Sequence, residues 1–339
     1  MTGPRGGSTR PPMTRPRIRL GWVVLVLVGT VGLVAVAGPA AGGASRGRAP
    51  AEIVMVTHGE ASDSFWSIVK NAVDEAAVDY DVEVSYHAPP MFDMVDMRRL
   101  VEAAVAREPD GLAVTIPDPD ALEDPIKEAV DAGIPVIAFN SGSTVALDFG
   151  AMAYIGQSEE QAGFRGGREM VEAGITKALC VNHSVGTLSL EERCRGFLDA
   201  LGKSGVEGQQ LAVDGSDVTG AQLRIEAALE EDPEVDGILT LGPAGAIPTL
   251  AALRNSGRME QITYATFDLS PEVLKAVGSG NALFAIDQQP YLQGYLAVAA
   301  LAQNAQRGVH PVGSVRTGPS FVTEEEAAEI LPFSELGLR

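Results

Sequence analysis

The chain has 339 residues, a formal net charge of −20 and a hydrophobic content of 45%. That length allows two domains, and the composition excludes an intrinsically disordered chain. The acidic balance argues against a nucleic-acid partner, which needs a basic face, and suits a protein that stays monomeric.

Residues 1–51 contain no Asp or Glu. Arg5, Arg10, Arg15, Arg17 and Arg19 precede an apolar run from Gly21 to Gly38, and the small-residue stretch AGPAAGGA follows. This is the pattern of an export signal, with Ala35-Val36-Ala37 or Gly42-Gly43-Ala44 near its end. The apolar run is also long enough to span a bilayer and stay as an anchor. In both cases the basic flank predicts that the rest of the chain is exported, to the periplasm or the cell surface. No Cys lies in this segment to carry a lipid.

From residue 52 strands and helices alternate. Ile53-Val54-Met55-Val56 reads as a strand buried on both faces, followed by a loop from His58 to Ser62. Asp63 or Ser64 can cap the helix Ser64–Asp79, whose first turn carries Phe65 and Trp66. These two aromatics form the floor of a pocket or pack the helix on the sheet; a buried indole N–H needs a partner, which favours the pocket for Trp66. Strands are predicted at 82–86, 111–116, 135–139 and 152–155, with helices at 94–107 and 120–132. A second series has strands at 177–181, 210–213, 237–241, 262–267 and 283–286. Its helices fall at 159–172, 190–201, 220–231, 244–255 and 270–278, followed by a long apolar helix at 289–306. The tail reads as short extended pieces and a last helix at 323–330. The result is two parallel sheets flanked by helices. No Gly/Ser/Pro linker separates them, which suits lobes joined by several short crossings around a cleft at the carboxyl ends of the strands.

Polar residues collect at those strand ends. His58, Asn140, Asn182 with His183, Asp268, and Asp287 with Gln288 and Gln289 each follow an apolar strand, and Arg193 lies just beyond the His183 loop. Each has a local alternative. Asn140 can shape a turn, Asp268 can cap a helix, and Arg193 can pair with Glu191, Glu192 or a nearby acid. Together they favour a binding cleft. Catalytic signatures are missing: there is no G-x-S-x-G elbow, Walker loop, H-E-x-x-H or EF-hand loop, and no cofactor is predicted. Cys180 and Cys194 allow three readings: a disulfide, two buried thiols, or with His183 a metal site of no recognised zinc spacing.

DSFW after the first strand, the IPDPDAL run, AGIPVIAFNSG, ERCRGF, ATFDLS and AIDQQPYLQGY, in this order, resemble the type I periplasmic sugar-binding family, which includes ribose-binding proteins. The resemblance covers roughly residues 52 to 325. It implies two doubly wound α/β lobes joined by a three-crossing hinge, closing on a sugar or cyclic polyol that passes to a membrane ABC permease. It places the first lobe at 52–156 plus 289–312 and the second at 157–288 plus 313–339. Asp63, Phe65 and Trp66 match the family's polar and aromatic contacts, Asn140 a ligand-binding Asp, Arg193 a ligand-binding Arg, and Asp268 with Gln288 its hydroxyl-binding pair. Ser141 stands where ribose binders have Arg, and Gly242 where they have Asn, which points away from ribose. His58 and His183 join the candidates from their strand-end positions alone. A membrane-anchored sensing domain that feeds a receptor or kinase is the alternative function. Asp268→Ala and Arg193→Ala are each expected to weaken binding and leave the fold intact.

Overall fold

The computed structural model describes residues 49–59 and 64–339. The first series runs β1 (Ala51–Val56), α1 (Ser64–Tyr80), β2 (Val82–His87), α2 (Met94–Val105), β3 (Gly111–Val114), α3 (Pro119–Asp131), β4 (Val136–Phe139) and β5 (Ala153–Gly156). The second runs α4 (Glu159–Glu172), β6 (Lys177–Asn182), α5 (Leu188–Lys203), β7 (Glu207–Ala212), α6 (Val218–Glu231), β8 (Gly237–Thr240), α7 (Pro243–Asn255), β9 (Thr263–Phe267), α8 (Pro271–Gly278) and β10 (Phe284–Asp287). The chain then returns through α9 (Pro290–Arg307) and ends in β11 (Gly313–Arg316), β12 (Ser320–Val322) and α10 (Glu324–Glu335).

Two sheets result, ordered β11-β5-β4-β3-β1-β2 and β12-β10-β9-β8-β6-β7. The orders correspond position for position, so each lobe repeats the same winding. Strands β3, β4 and β8 are buried along their whole length, because helices cover both faces, and they read as short apolar runs, broken only by Thr240 at the end of β8. The edge strand β7 starts earlier than the sequence predicts. Its residues Glu207–Gln210 are polar and exposed, so no hydrophobic alternation marks them.

The lobe boundary also differs. Residues 313–316 belong to the first sheet, where β11 pairs in parallel with β5 and Val315 packs on the first-lobe core. A four-residue strand with alternate residues exposed carries too little apolar signal to be assigned to either sheet. The chain enters the second lobe only after Thr317–Pro319, and β12 then pairs antiparallel with β10. Three short crossings therefore join the lobes: β5 to α4, β10 to α9, and β11 to β12.

Local chemistry sets the helix starts. Asp93, Asp118, Ser158, Asp217 and Ser270 each cap a helix by accepting a backbone N–H. In the first lobe α1 packs on α9, with Trp66, Val69 and Val73 against Ala297, Val298 and Leu301. In the second, α4 and α5 lie backbone to backbone. A Cβ on Gly163 would stand 2.0 Å from the Arg193 carbonyl oxygen, and one on Gly196 would stand 2.0 Å from that of Glu160. Only glycine permits this approach, which brings the first turn of α4 onto the middle of α5. Among the described residues no helix is long and apolar enough to cross a membrane.

Candidate functional site

The two lobes enclose a cleft of about 810 Å³, lined by residues that follow β1 and β4 in one sheet and β6, β8 and β9 in the other. His58, Phe65, Trp66, Asn140, His183, Arg193, Asp268 and Gln288 all line it. Asp63 lies outside the described residues. Ser141 is fully buried behind the wall, whereas Gly242 is part of it.

The first lobe supplies the aromatic side. The Trp66 ring meets the rings of His58 at 4.8 Å and Phe65 at 5.0 Å, both edge-on, and Phe92 lies 6.1 Å from His58. Edge-to-face contact is the favoured arrangement for such rings. Thr115 fixes the His58 ring, with Oγ1 2.9 Å from Nδ1 and 3.1 Å from the His58 backbone N–H.

The polar base is one connected network. Asn140 Nδ2 donates to Gln288 Oε1 at 3.1 Å and to Gln293 Oε1 at 3.2 Å. Gln288 Nε2 donates to Asp268 Oδ1 at 2.8 Å. Arg193 donates to Asp268 Oδ2 at 3.2 Å, to the Leu241 carbonyl at 2.7 Å, and to both carboxylate oxygens of Glu159 at 2.7 and 3.2 Å. Its guanidinium also lies 4.5 Å from the centre of the Phe267 ring. Asn140 belongs to the first lobe, Asp268 and Arg193 to the second, and Gln288 to the crossing between them. The network therefore runs through the hinge. Thr317 on another crossing ties into it, donating to the Gln288 carbonyl at 2.7 Å and accepting from Gln293 at 3.1 Å.

Backbone geometry aims these groups. Asn140, Asp268 and Gln289 have φ of 63°, 61° and 61°, the left-handed region, and each stands just past a strand end. Asn and Asp tolerate that region better than most residues. Ser270 caps α8, so the Asp268 carboxylate is left for the cleft rather than the helix.

Burial governs the electrostatics. Desolvation pushes Asp268 up to about 6, against the pull of Arg193 and the Gln288 hydrogen bond. It pushes His58 down to about 3 and His183 down to about 4, with Arg193 adding to both shifts. Burial also disfavours the charge on Arg193, but Glu159 and Asp268 more than offset it and raise its pKa further. At neutral pH the cleft thus holds neutral imidazoles, an ionised Asp268 and a permanently charged guanidinium.

Arg193 therefore also holds the fold together. It is 3% exposed and compensates two buried carboxylates, so its removal should disturb the fold as well, contrary to the expectation for Arg193→Ala. Its carboxylate partners are Glu159, 34 residues away, and Asp268, not the sequence neighbours Glu191 and Glu192 of the alternative surface reading. Sequence reasoning also missed Gln293, a lone buried amide on the apolar face of α9, and the rim residues Met91, Phe92 and Ile247. Glu159 reads in sequence as an ordinary acid in the first turn of a helix; Gln293, as the one polar residue in an apolar helix face, did carry a signal. Cys180 and Cys194 are joined by a disulfide that ties β6 to α5 behind the Arg193 wall. Among the described residues no group of His, Cys, Asp or Glu is placed to hold a metal ion.

Fold and cleft together define a solute-binding protein of two α/β lobes. The family profile described as periplasmic binding protein domain matches residues 53–308, and the chain belongs to that family. Its members are binding proteins of transporters, not enzymes. The crystal structure of a carbohydrate transporter from Acidothermus cellulolyticus 11B, in complex with myo-inositol, is 36% identical, with a TM-score of 0.80 over 86% of this chain and 100% of that one. The xylose/arabinose-binding protein of Sulfolobus acidocaldarius is 27% identical over 80% of this chain and 71% of its own length. The D-ribose/D-allose-binding protein of Pseudomonas aeruginosa is 25% identical over 56% of this chain and 61% of its own length.

Proposed function

We propose that the cleft takes a cyclic polyol or monosaccharide, with myo-inositol as the first candidate. The observation that carries this reading is the junction of two surfaces in one cavity. Arg193, Asp268, Gln288 and Asn140 offer hydrogen-bond donors and acceptors, and Trp66, Phe65 and Phe92 offer an apolar face. A ring with hydroxyls on its rim and C–H groups on its faces is the complement of that junction. The bound myo-inositol of the 36% identical structure supports the cyclitol over an open-chain solute.

The protein captures its solute outside the cytoplasm and passes it to a membrane ABC permease. It works as a monomer, in keeping with its charge of −20. Residues 1–51 direct export, and their apolar run is long enough to stay as a membrane anchor. Eight of the proposed contacts are His58, Phe65, Trp66, Asn140, His183, Arg193, Asp268 and Gln288, and Asp63 is the ninth.

Isothermal calorimetry with a panel of inositols, hexoses and pentoses tests the reading. Saturable one-to-one binding of an inositol, or of one sugar class, is the expected result. Heat from none of them would overturn it.

A further inference from the structure

Three glycines surround the His183 ring. A Cβ on Gly242 would stand 3.1 Å from its Cε1, one on Gly245 3.4 Å from its Nδ1, and one on Gly215 3.2 Å from its Cδ2. Gly242 has φ 163° and ψ 174°, extended backbone that any residue adopts. Its lack of a side chain therefore answers to space and not to conformation. The space is polar on two sides: the same Cβ position lies 3.7 Å from His183 Nε2 and 3.7 Å from Asp268 Oδ2.

The ring itself shows which nitrogen can donate. Nδ1 of His183 is buried with no hydrogen-bond partner among the described residues. A buried N–H left without an acceptor is costlier than a lone pair left without a donor, so the proton belongs on Nε2. A donor from His183 and an acceptor from Asp268 then flank the gap over Gly242. A ligand hydroxyl seated in the cleft between the two would accept from His183 and donate to Asp268.

We infer that His183 and Asp268 form a hydroxyl-reading notch over Gly242, and that this notch sets which polyol the cleft accepts. This rests on the reading of the cleft as a polyol site and deepens it. The preferred ligand carries a free hydroxyl at the ring carbon that faces Gly242. Removing that hydroxyl leaves the His183 donor without its acceptor, while Asp268 keeps Arg193 and Gln288, and methylating it overfills the notch, so both analogues are rejected. Ligands that differ only at other ring positions keep the notch contact.

The test is a ligand–protein double cycle by calorimetry. Myo-inositol and its series of monodeoxy analogues are titrated into the wild-type protein and into His183→Ala, His183→Gln and Gly242→Ala. One deoxy position is expected to cost the wild type about tenfold or more in affinity, and to cost His183→Ala little beyond its own loss. His183→Gln keeps an N–H donor and should hold more affinity than His183→Ala. Gly242→Ala should weaken the parent polyol about tenfold by pressing on the ring and filling the gap. Thermal midpoints show whether each variant is folded, and Gly242→Ala carries the test if the His183 variants are not. Wild-type binding with the same deoxy pattern in all three variants would overturn the notch alone. No binding of any polyol by the wild type would overturn the cleft reading and the notch with it.

Discussion

Asn140 and Asp268 occupy equivalent places in the two lobes. Each follows the last residue of a buried strand, β4 or β9. Each donates its backbone N–H to the next strand, to the Ile155 carbonyl at 3.0 Å and the Ile286 carbonyl at 2.9 Å. Each has positive φ, 63° and 61°. Gln288 joins their side chains, accepting from Asn140 at 3.1 Å and donating to Asp268 at 2.8 Å. A duplicated turn thus points one polar group from each lobe at the hinge crossing between them.

Asp268→Asn is therefore the informative change at this position. It keeps the left-handed turn, which Ala would strain by about 1–2 kcal/mol, and removes only the charge. Polyol affinity should fall about 10- to 100-fold, as for loss of a charge-assisted hydrogen bond. The wild-type carboxyl is pushed up to about 6, so its ionised form is complete above that pH and lost as pH falls through it. Wild-type affinity should be level at pH 7 and decline between pH 6 and 5, while the Asn variant should be weak and level. Calorimetry at several pH values measures both.

Arg193→Ala should cost stability as well as binding. Removing the guanidinium leaves Glu159 and Asp268 buried without their cation, a loss of about 3–5 kcal/mol by comparison with other broken buried pairs. Arg193→Lys cannot reach both Glu159 oxygens and Asp268 at once, so it should fall between the wild type and Ala. Chemical denaturation midpoints order the three.

The two cleft histidines should make the free protein acid-sensitive. Folded values of about 3 for His58 and about 4 for His183 lie below the ordinary 6.5, so the unfolded chain takes up protons first. Their contribution is complete above pH 6.5 and is lost as pH falls toward 4. Asp268 acts in the opposite sense, because its raised value makes the folded form bind a proton first between about 6 and 3.8. The histidine contribution is isolated by comparing variants over acidification from pH 6.5 to 4, followed by melting temperature. On acidification the melting temperature of His58→Gln, which keeps a hydrogen-bonding group and cannot charge, should rise relative to that of the wild type.

The disulfide should matter for stability more than for ligand choice. It closes a loop of 14 residues, and the chain-entropy account assigns such a loop about 3 kcal/mol. Cys180→Ala with Cys194→Ala should lower the melting temperature while leaving the order of preference among polyols unchanged. Both sulfurs are buried, so reduction of the folded protein should be slow.

Much of this cleft is legible in sequence because its parts sit at strand ends, and strand ends follow apolar runs that periodicity finds. His58, Asn140, His183, Asp268 and Gln288 are all of that kind. Glu159 is not. Its role depends on a helix contact made through Gly163 and Gly196, and no local pattern announces which acid a buried Arg will meet. Residues 313–316 are similar. A short strand with alternate residues exposed has no preference of its own, and its place is fixed by pairing with β5 across the sheet. The disulfide also depends on packing, since spacing alone leaves free thiols as an equal reading.

The sequence holds two tryptophans, Trp22 and Trp66, and Trp66 stands on the cleft wall 4.8 Å from His58. Its emission in a Trp22→Phe variant, followed through a titration with myo-inositol and the sugar panel, reports directly on whether a polyol enters the cleft. A saturable change with one ligand class is expected, with a much weaker response after Asp268→Asn. Unchanged emission with every member, together with no heat in calorimetry, would contradict the polyol reading.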